Sequence, residues 1–191
     1  MSLEKLSAKD TVVATMGTTG IGDESASAGG EYIVECRDKD GNLKWNLREK
    51  NLVVNVGAAD MNNKYFAGST YSATWYLGLI TGPGVTTSAS DTMASHGWTE
   101  YTGYSNSTRP ACTFGSSTTA SPAVISNSGS TAVFNMNASG TVGGAFLTTN
   151  NTKSGATGTL FSEKAFSSPG DRTVISGDTI TVTYTFSLTP T

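Results

Sequence analysis

From Gly177 to Leu188 the chain reads GDTITVTYTFSL, and beyond Asp178 polar and apolar positions alternate without interruption. Ile180, Val182, Tyr184, Phe186 and Leu188 fall on one side, and Thr179, Thr181, Thr183, Thr185 and Ser187 on the other. A period of two predicts a strand with one face on a core. Burying those five side chains contributes on the order of 1.5–3 kcal/mol each before the cost of ordering them. The same period appears in EYIVECR (31–37), where Tyr32, Val34 and Cys36 oppose Ile33, Glu35 and Arg37, and in LKWNL (43–47), with Leu43, Trp45 and Leu47 on one face. Between them DKDGN supplies turn chemistry, so the pair predicts a hairpin with Gly41 at positive φ. Asp38 and Asp40 invite comparison with a calcium loop, and Glu49 falls at its twelfth place, but Asn42 stands at the fifth, Gly41 at the fourth instead of the sixth, and strand-like residues interrupt the loop. A plain turn is the reading.

Further along, Asn51–Val56 is an apolar run, and VGAADMNNKYFAG predicts one short helix near 56–66, with Ala59, Met61 or Asn62, and Phe66 toward the core. TWYLGLI (74–80) is apolar on both faces, as a central strand covered on both sides would be. GPG (82–84) ends it, and a Ser/Thr-rich loop runs to Ser95. STAVFNMNAS (130–139) alternates again. GGAFLTT (143–149) and GTLFSEKAF (158–166) are two further strands joined by NNTKSGATG. Roughly eight to ten short strands with Gly, Ser and Asn turns predict an all-β, two-sheet sandwich of jelly-roll type. No internal repeat points to a propeller or solenoid.

Composition adjusts this picture at the N-terminus. Residues 1–30 hold one short strand candidate, TVVAT (11–15), among small, polar and glycine-rich positions. So little apolar area cannot offset ordering entropy, and the expected division is a flexible arm over 1–30 and a β-sandwich domain over 31–191. The whole chain is only 14% charged, yet its net charge of −3 and 9% aromatic content argue against disorder. That charge gives no basic footprint for nucleic acid. No stretch is long and apolar enough to span a bilayer, and MSLEKLSAKD lacks a signal-peptide core, so synthesis in a cytoplasm is expected. There, Cys36 and Cys112 are read as two buried thiols in preference to a bridge.

Candidate chemistry concentrates in HGWTEYTGYSNSTRPACTF (96–114), which holds the single histidine, His96, together with Trp98, Glu100, Tyr101, Tyr104, Arg109 and Cys112. His96 and Cys112 are the one candidate base–nucleophile pair, without a family-type nucleophile signature around either. One histidine and two distant cysteines do not make a zinc site. The glutamates are scattered, and GTTGIGDES lacks the strand–helix context of a phosphate loop. No catalytic residue, cofactor or metal is assigned. Arg109, before Pro110 and amid aromatic rings, has two readings. It pins a loop to the edge of the sandwich, or it joins Trp98, Tyr101 and Tyr104 in an interface.

Taken in order, NLVVNVG, KYFAG, WYLGL, DTMASHGWTEYTGYSNSTRPACTF, GGAFLTTNNTKSGATGTLFSEKAF and SGDTITVTY resemble a small β-rich structural virion protein of tailed bacteriophages and prophages, most like a capsid decoration (cement) protein. The resemblance covers about residues 31–191. It implies a virion protein made in the host bacterial cytoplasm, binding the major capsid protein or other virion proteins as a homodimer or homotrimer. Such a protein stabilises the head through repeated contacts, with the arm ordering on the shell. A neck, tail or fibre component binding a host glycan through Trp98, Tyr101 and Tyr104 is the alternative, and a hydrolase a third reading.

Overall fold

The alternating C-terminal segment forms the longest-reaching strand of a computed structural model, which describes residues 26–71, 74–167 and 170–190. Among these residues lie strands β1 (Ala26–Arg37), β2 (Leu43–Lys50), β3 (Leu52–Val53), β4 (Tyr76–Thr81), β5 (Glu100–Tyr101), β6 (Ala123–Ser126) and β7 (Ala132–Asn135). They are followed by β8 (Gly140–Thr148), β9 (Leu160–Ala165), β10 (Arg172–Val174) and β11 (Thr179–Pro190), and one helix, α1 (Asn55–Tyr65), sits between β3 and β4. The first sheet runs β2-β1-β11-β6, with β7 also on β11, and the second runs β3-β9-β8-β4-β5, with β10 on β8. The two antiparallel sheets pack face to face, the all-β sandwich that the alternation predicts. Pairing is nested as in a jelly roll, with β1 on β11, β3 on β9 and β4 on β8, but β1–β2 and β8–β9 remain hairpins within one sheet.

Tyr32, Val34 and Cys36 of β1 and Ile180, Val182 and Tyr184 of β11 are wholly buried against Leu77, Leu79, Ala145 and Leu147 of the second sheet. A smaller cluster of Val54, Ile80, Met93, Trp98, Phe146 and Leu160 lies on the other face of that sheet. β4 is therefore covered on both sides, which accounts for its continuous apolar run. Gly41 takes φ +84° in the β1–β2 turn. There the Asp38 carboxylate accepts the backbone N–H groups of Asp40 and Asn42 and the Asn42 side-chain amide. The Asp38 oxygens thus serve the turn, while the Asp40 carboxylate accepts from the Lys39 ammonium. Cys36 and Cys112 are free and buried, and burial pushes both thiols up to about 12.

Three expectations are corrected. The sandwich begins at Ala26, within the span assigned to the arm, because Ala26–Gly30 pair with Pro190–Phe186. A backbone ladder needs no apolar side chains, so composition alone does not reveal it. The α1 facing also differs: Ala59, Asn62 and Phe66 are exposed, Met61 packs on the core, and Gly57 is the buried position. A side chain at 57 would collide with the Phe161 backbone, so glycine lets the helix lie directly on β9. Finally, the inward row of β11 is not buried to its end, since Leu188 is 37% exposed. The TVVAT strand candidate lies outside the described residues.

Candidate functional site

Residues 96–114 lace the edge of the second sheet. Glu100 and Tyr101 form β5 against Ile80 and Leu79, which carries the segment to the sheet margin. Arg109, 1% exposed, forks onto the Glu100 carboxylate through Nε at 2.9 Å and a terminal nitrogen at 2.8 Å. Its remaining bonds go to the carbonyls of Asn150 and Gly155, and its guanidinium lies 5.1 Å from the Phe146 ring centre. Glu100 also accepts the N–H of Ser154, at 2.6 Å, from a residue at φ 57°. One ion pair thus ties the 96–114 segment to the 150–155 loop with nearly every donor occupied. This is the loop-pinning role.

The other three residues singled out from the sequence are buried as well. Tyr101 donates to the Ala138 carbonyl at 3.0 Å, and Tyr104 meets Phe134 edge-on with ring centres 5.0 Å apart. Burial, and then the neighbouring Glu100 charge, raise the Tyr104 phenol above its ordinary range. Trp98 is 7% exposed, Tyr101 7% and Tyr104 1%. Neither an interface built from these four nor a sugar stacked on these rings has surface to work with in the folded chain. The candidate pair of His96 and Cys112 is not brought together. Cys112 belongs to the core between the sheets, whereas His96 stacks on Trp98, at 3.7 Å and 11°, on the opposite face of the second sheet.

Trp98 leads to a carboxyl pair that the sequence did not single out. Its indole N–H donates to Glu163 at 2.6 Å, and the N–H of Ser88 bridges Glu163 at 3.0 Å and Asp91 at 3.1 Å. Glu163 is fully buried, and burial together with the adjacent Asp91 pushes its carboxyl up to about 7, against the pull of the Trp98 and Ser88 donors. The pair holds the 82–98 loop over the small outer cluster. A hollow of about 300 Å³ between this loop and the Arg109 fork is lined by His96, Glu100, Arg109 and Ser154.

A larger concavity is lined by residues of both sheets. A groove of about 890 Å³ is floored by Trp75, Leu147, Phe161 and Tyr184 and walled by Phe114, Ile125, Phe186 and Leu188. Phe161 sits edge-on to both Trp75 and Phe186, at 5.3 and 5.5 Å between ring centres. Along the rim the C-terminal end of α1 offers Tyr65 and Phe66, 82% and 80% exposed, with Tyr71 at 58%. A volume of this size with an aromatic lining suits an apolar segment better than a small polar substrate. The class these features define is an antiparallel two-sheet sandwich with a buried Arg109–Glu100 fork at its edge and an open aromatic groove. No family model matches the chain, and no curated protein or solved structure is significantly similar to it.

Proposed function

We propose that the protein is a structural component of a bacteriophage virion, a capsid decoration protein that clamps the outside of the head through protein–protein contacts. The observation that carries this reading is the apolar groove with its exposed rim of Tyr65, Phe66 and Tyr71, while Arg109 pairs with Glu100 and Trp98 with Glu163 inside the fold. Exposed aromatics clustered on a rigid scaffold mark a surface that meets another protein. The resemblance read from the sequence over residues 31–191 points the same way, toward adhesion over turnover. Its partners would be the major capsid protein or a neighbouring copy, and avidity over repeated sites would supply the stabilisation.

Counting copies on purified particles tests the proposal. Hundreds of copies spread over the head are expected. About a dozen, gathered at one vertex where avidity cannot spread over the shell, would move the protein to the neck or tail. Absence from mature particles would end the virion reading altogether.

A further inference from the structure

We infer that Glu163 and Asp91 form a proton-held latch, which keeps the 82–98 loop shut on the outer apolar cluster and lets it lift when the shared proton leaves. The two acids meet over a single donor. The Ser88 N–H lies 3.0 Å from Glu163 and 3.1 Å from Asp91, with Glu163 fully buried and Asp91 9% exposed. Among the described residues no lysine, arginine or histidine forms an ion pair with either carboxylate. Two buried negative charges on one N–H lack a counter-charge, so a pair placed like this holds on to one proton.

The surrounding groups leave the proton in that role. On the loop itself His96 stacks on Trp98, whose indole donates to Glu163 at 2.6 Å. Across the hollow, the Arg109–Glu100 fork is spent on itself and on the carbonyls of Asn150 and Gly155. On β9 Lys164 reaches Glu49, at 3.8 Å, and on α1 Lys64 pairs with Asp60, at 3.5 Å. The strands flanking Glu163 set Leu52 and Phe146 beside it, and from β1 the Tyr32 hydroxyl bonds to Ser162. Asp171 packs on Gly82, at the start of the loop.

The loop has few other ties. Among the described residues, its hydrogen bonds to the rest of the fold beyond Gly82 are three: the Asn55 N–H to the Ala89 carbonyl, and those of Ser88 and Trp98 to Glu163. When both acids are charged, their repulsion acts between the loop and β9. Asp91, the nearer to the surface, gains most by turning to water, and it carries Ser88 and the buried Met93 with it. That uncovers Val54, Ile80, Phe146 and Leu160. Burial, and then Asp91, push the Glu163 carboxyl up to about 7 from its ordinary 4.5, so the closed loop binds the proton more tightly than the open one. The latch is therefore shut in mild acid and weakens as pH rises through about 7.

The latch is independent of what the groove binds, so it is tested on the free protein in solution. Hydrogen exchange of the Ser88 and Asn55 amides, the two backbone groups that tie the loop down, is measured at pH 5, 6, 7 and 8. Each rate is divided by that of an unstructured peptide at the same pH. In the parent chain, protection should fall by about tenfold or more between pH 5 and pH 8, while Ala145–Leu147 of β8 stay far better protected. Glu163→Gln should keep its pH 5 protection throughout, because the amide accepts from Ser88 and Trp98 and donates to Asp91 as the neutral acid does. Asp91→Asn, which removes the second charge, should show a smaller fall than the parent. Circular dichroism checks that each chain is folded. A parental profile that is flat with pH, or a fall as steep in both variants as in the parent, would overturn the latch. So would loop amides that exchange at the rate of Ala145–Leu147 at every pH, since the loop would then open only with the whole fold.

Discussion

Arg109 and Glu100 form a fully desolvated fork, with side chains 1% and 4% exposed. Removing one member leaves the other buried without its counter-charge. Glu100→Ala is therefore expected to lower stability by about 3–5 kcal/mol, seen as a lower denaturant midpoint at unchanged slope. Arg109→Lys should also destabilise, because one ammonium cannot reach both carboxylate oxygens and two carbonyls. Glu163 behaves differently, since its folded carboxyl titrates above its ordinary value of 4.5. A proton held more tightly in the folded chain stabilises it fully below about pH 4.5, and that stabilisation fades as pH rises through about 7. The full span is on the order of 3 kcal/mol at most. Chemical denaturation at pH 5, 6, 7 and 8 should show stability falling across this window in the parent chain and a much flatter profile in Glu163→Gln. A profile in Glu163→Gln as steep as the parent's would remove Glu163 as its source. The loop-pinning role of Arg109 was one of two readings its sequence neighbours offered, and its bonds to Glu100, Asn150 and Gly155 are of that kind, but Glu163 was not singled out. At β9, Thr148 pairs with Leu160 and Leu147 with Ser162, leaving Phe161 as a bulge. Phe161 and Ser162 both turn inward and Glu163 is thrown to the outer face, a shift of parity that counting by twos cannot anticipate.

At the level of elements, α1 rests on β9 through Gly57, and this reverses an ordinary rule. Glycine to alanine inside a helix usually stabilises, by up to about 1 kcal/mol. Here the added methyl would press on the Phe161 carbonyl, which belongs to backbone and cannot swing aside. Gly57→Ala should therefore destabilise by about 1–3 kcal/mol. Gly129→Ala, where a methyl meets nothing within 4 Å, should be near neutral. Thermal melts of the two variants decide the matter: an unchanged or raised midpoint for Gly57→Ala would mean that the helix is not seated this closely. Elements with strong alternation, such as β1 from Glu31 onward and β11, were legible because side-chain period and burial coincide there. The facing of α1 was not, because its inward contact is the absence of a side chain, and its largest apolar residues, Tyr65 and Phe66, point to solvent.

For the whole molecule, the first and last strands are the middle of the first sheet, with β1 between β2 and β11. Two truncations locate where the fold begins. Removing residues 2–25 leaves every β1 pairing in place, so the chain should keep its sandwich and melt in one cooperative transition. Removing residues 2–30 deletes the partners of Phe186–Pro190 and the Gly30 carbonyl that accepts the N–H of Asn51. Thr185–Leu188 would still pair with β6, but Thr189 and Pro190 would have no neighbouring strand. Several ladder bonds at about 0.5–1.5 kcal/mol each set the expected loss at about 2 kcal/mol or more. Amide exchange should locate that loss at the outer half of β11 and leave Ile180–Tyr184 protected. Both truncations lack residues 2–25, so a difference between them reports the ladder formed by Ala26–Gly30. Equal stability and equal exchange in the two chains would place the start of the sandwich after Gly30, where composition alone had put it. A collapse already at the shorter deletion would mean that the ladder from Ala26 onward does not suffice to hold the sandwich together.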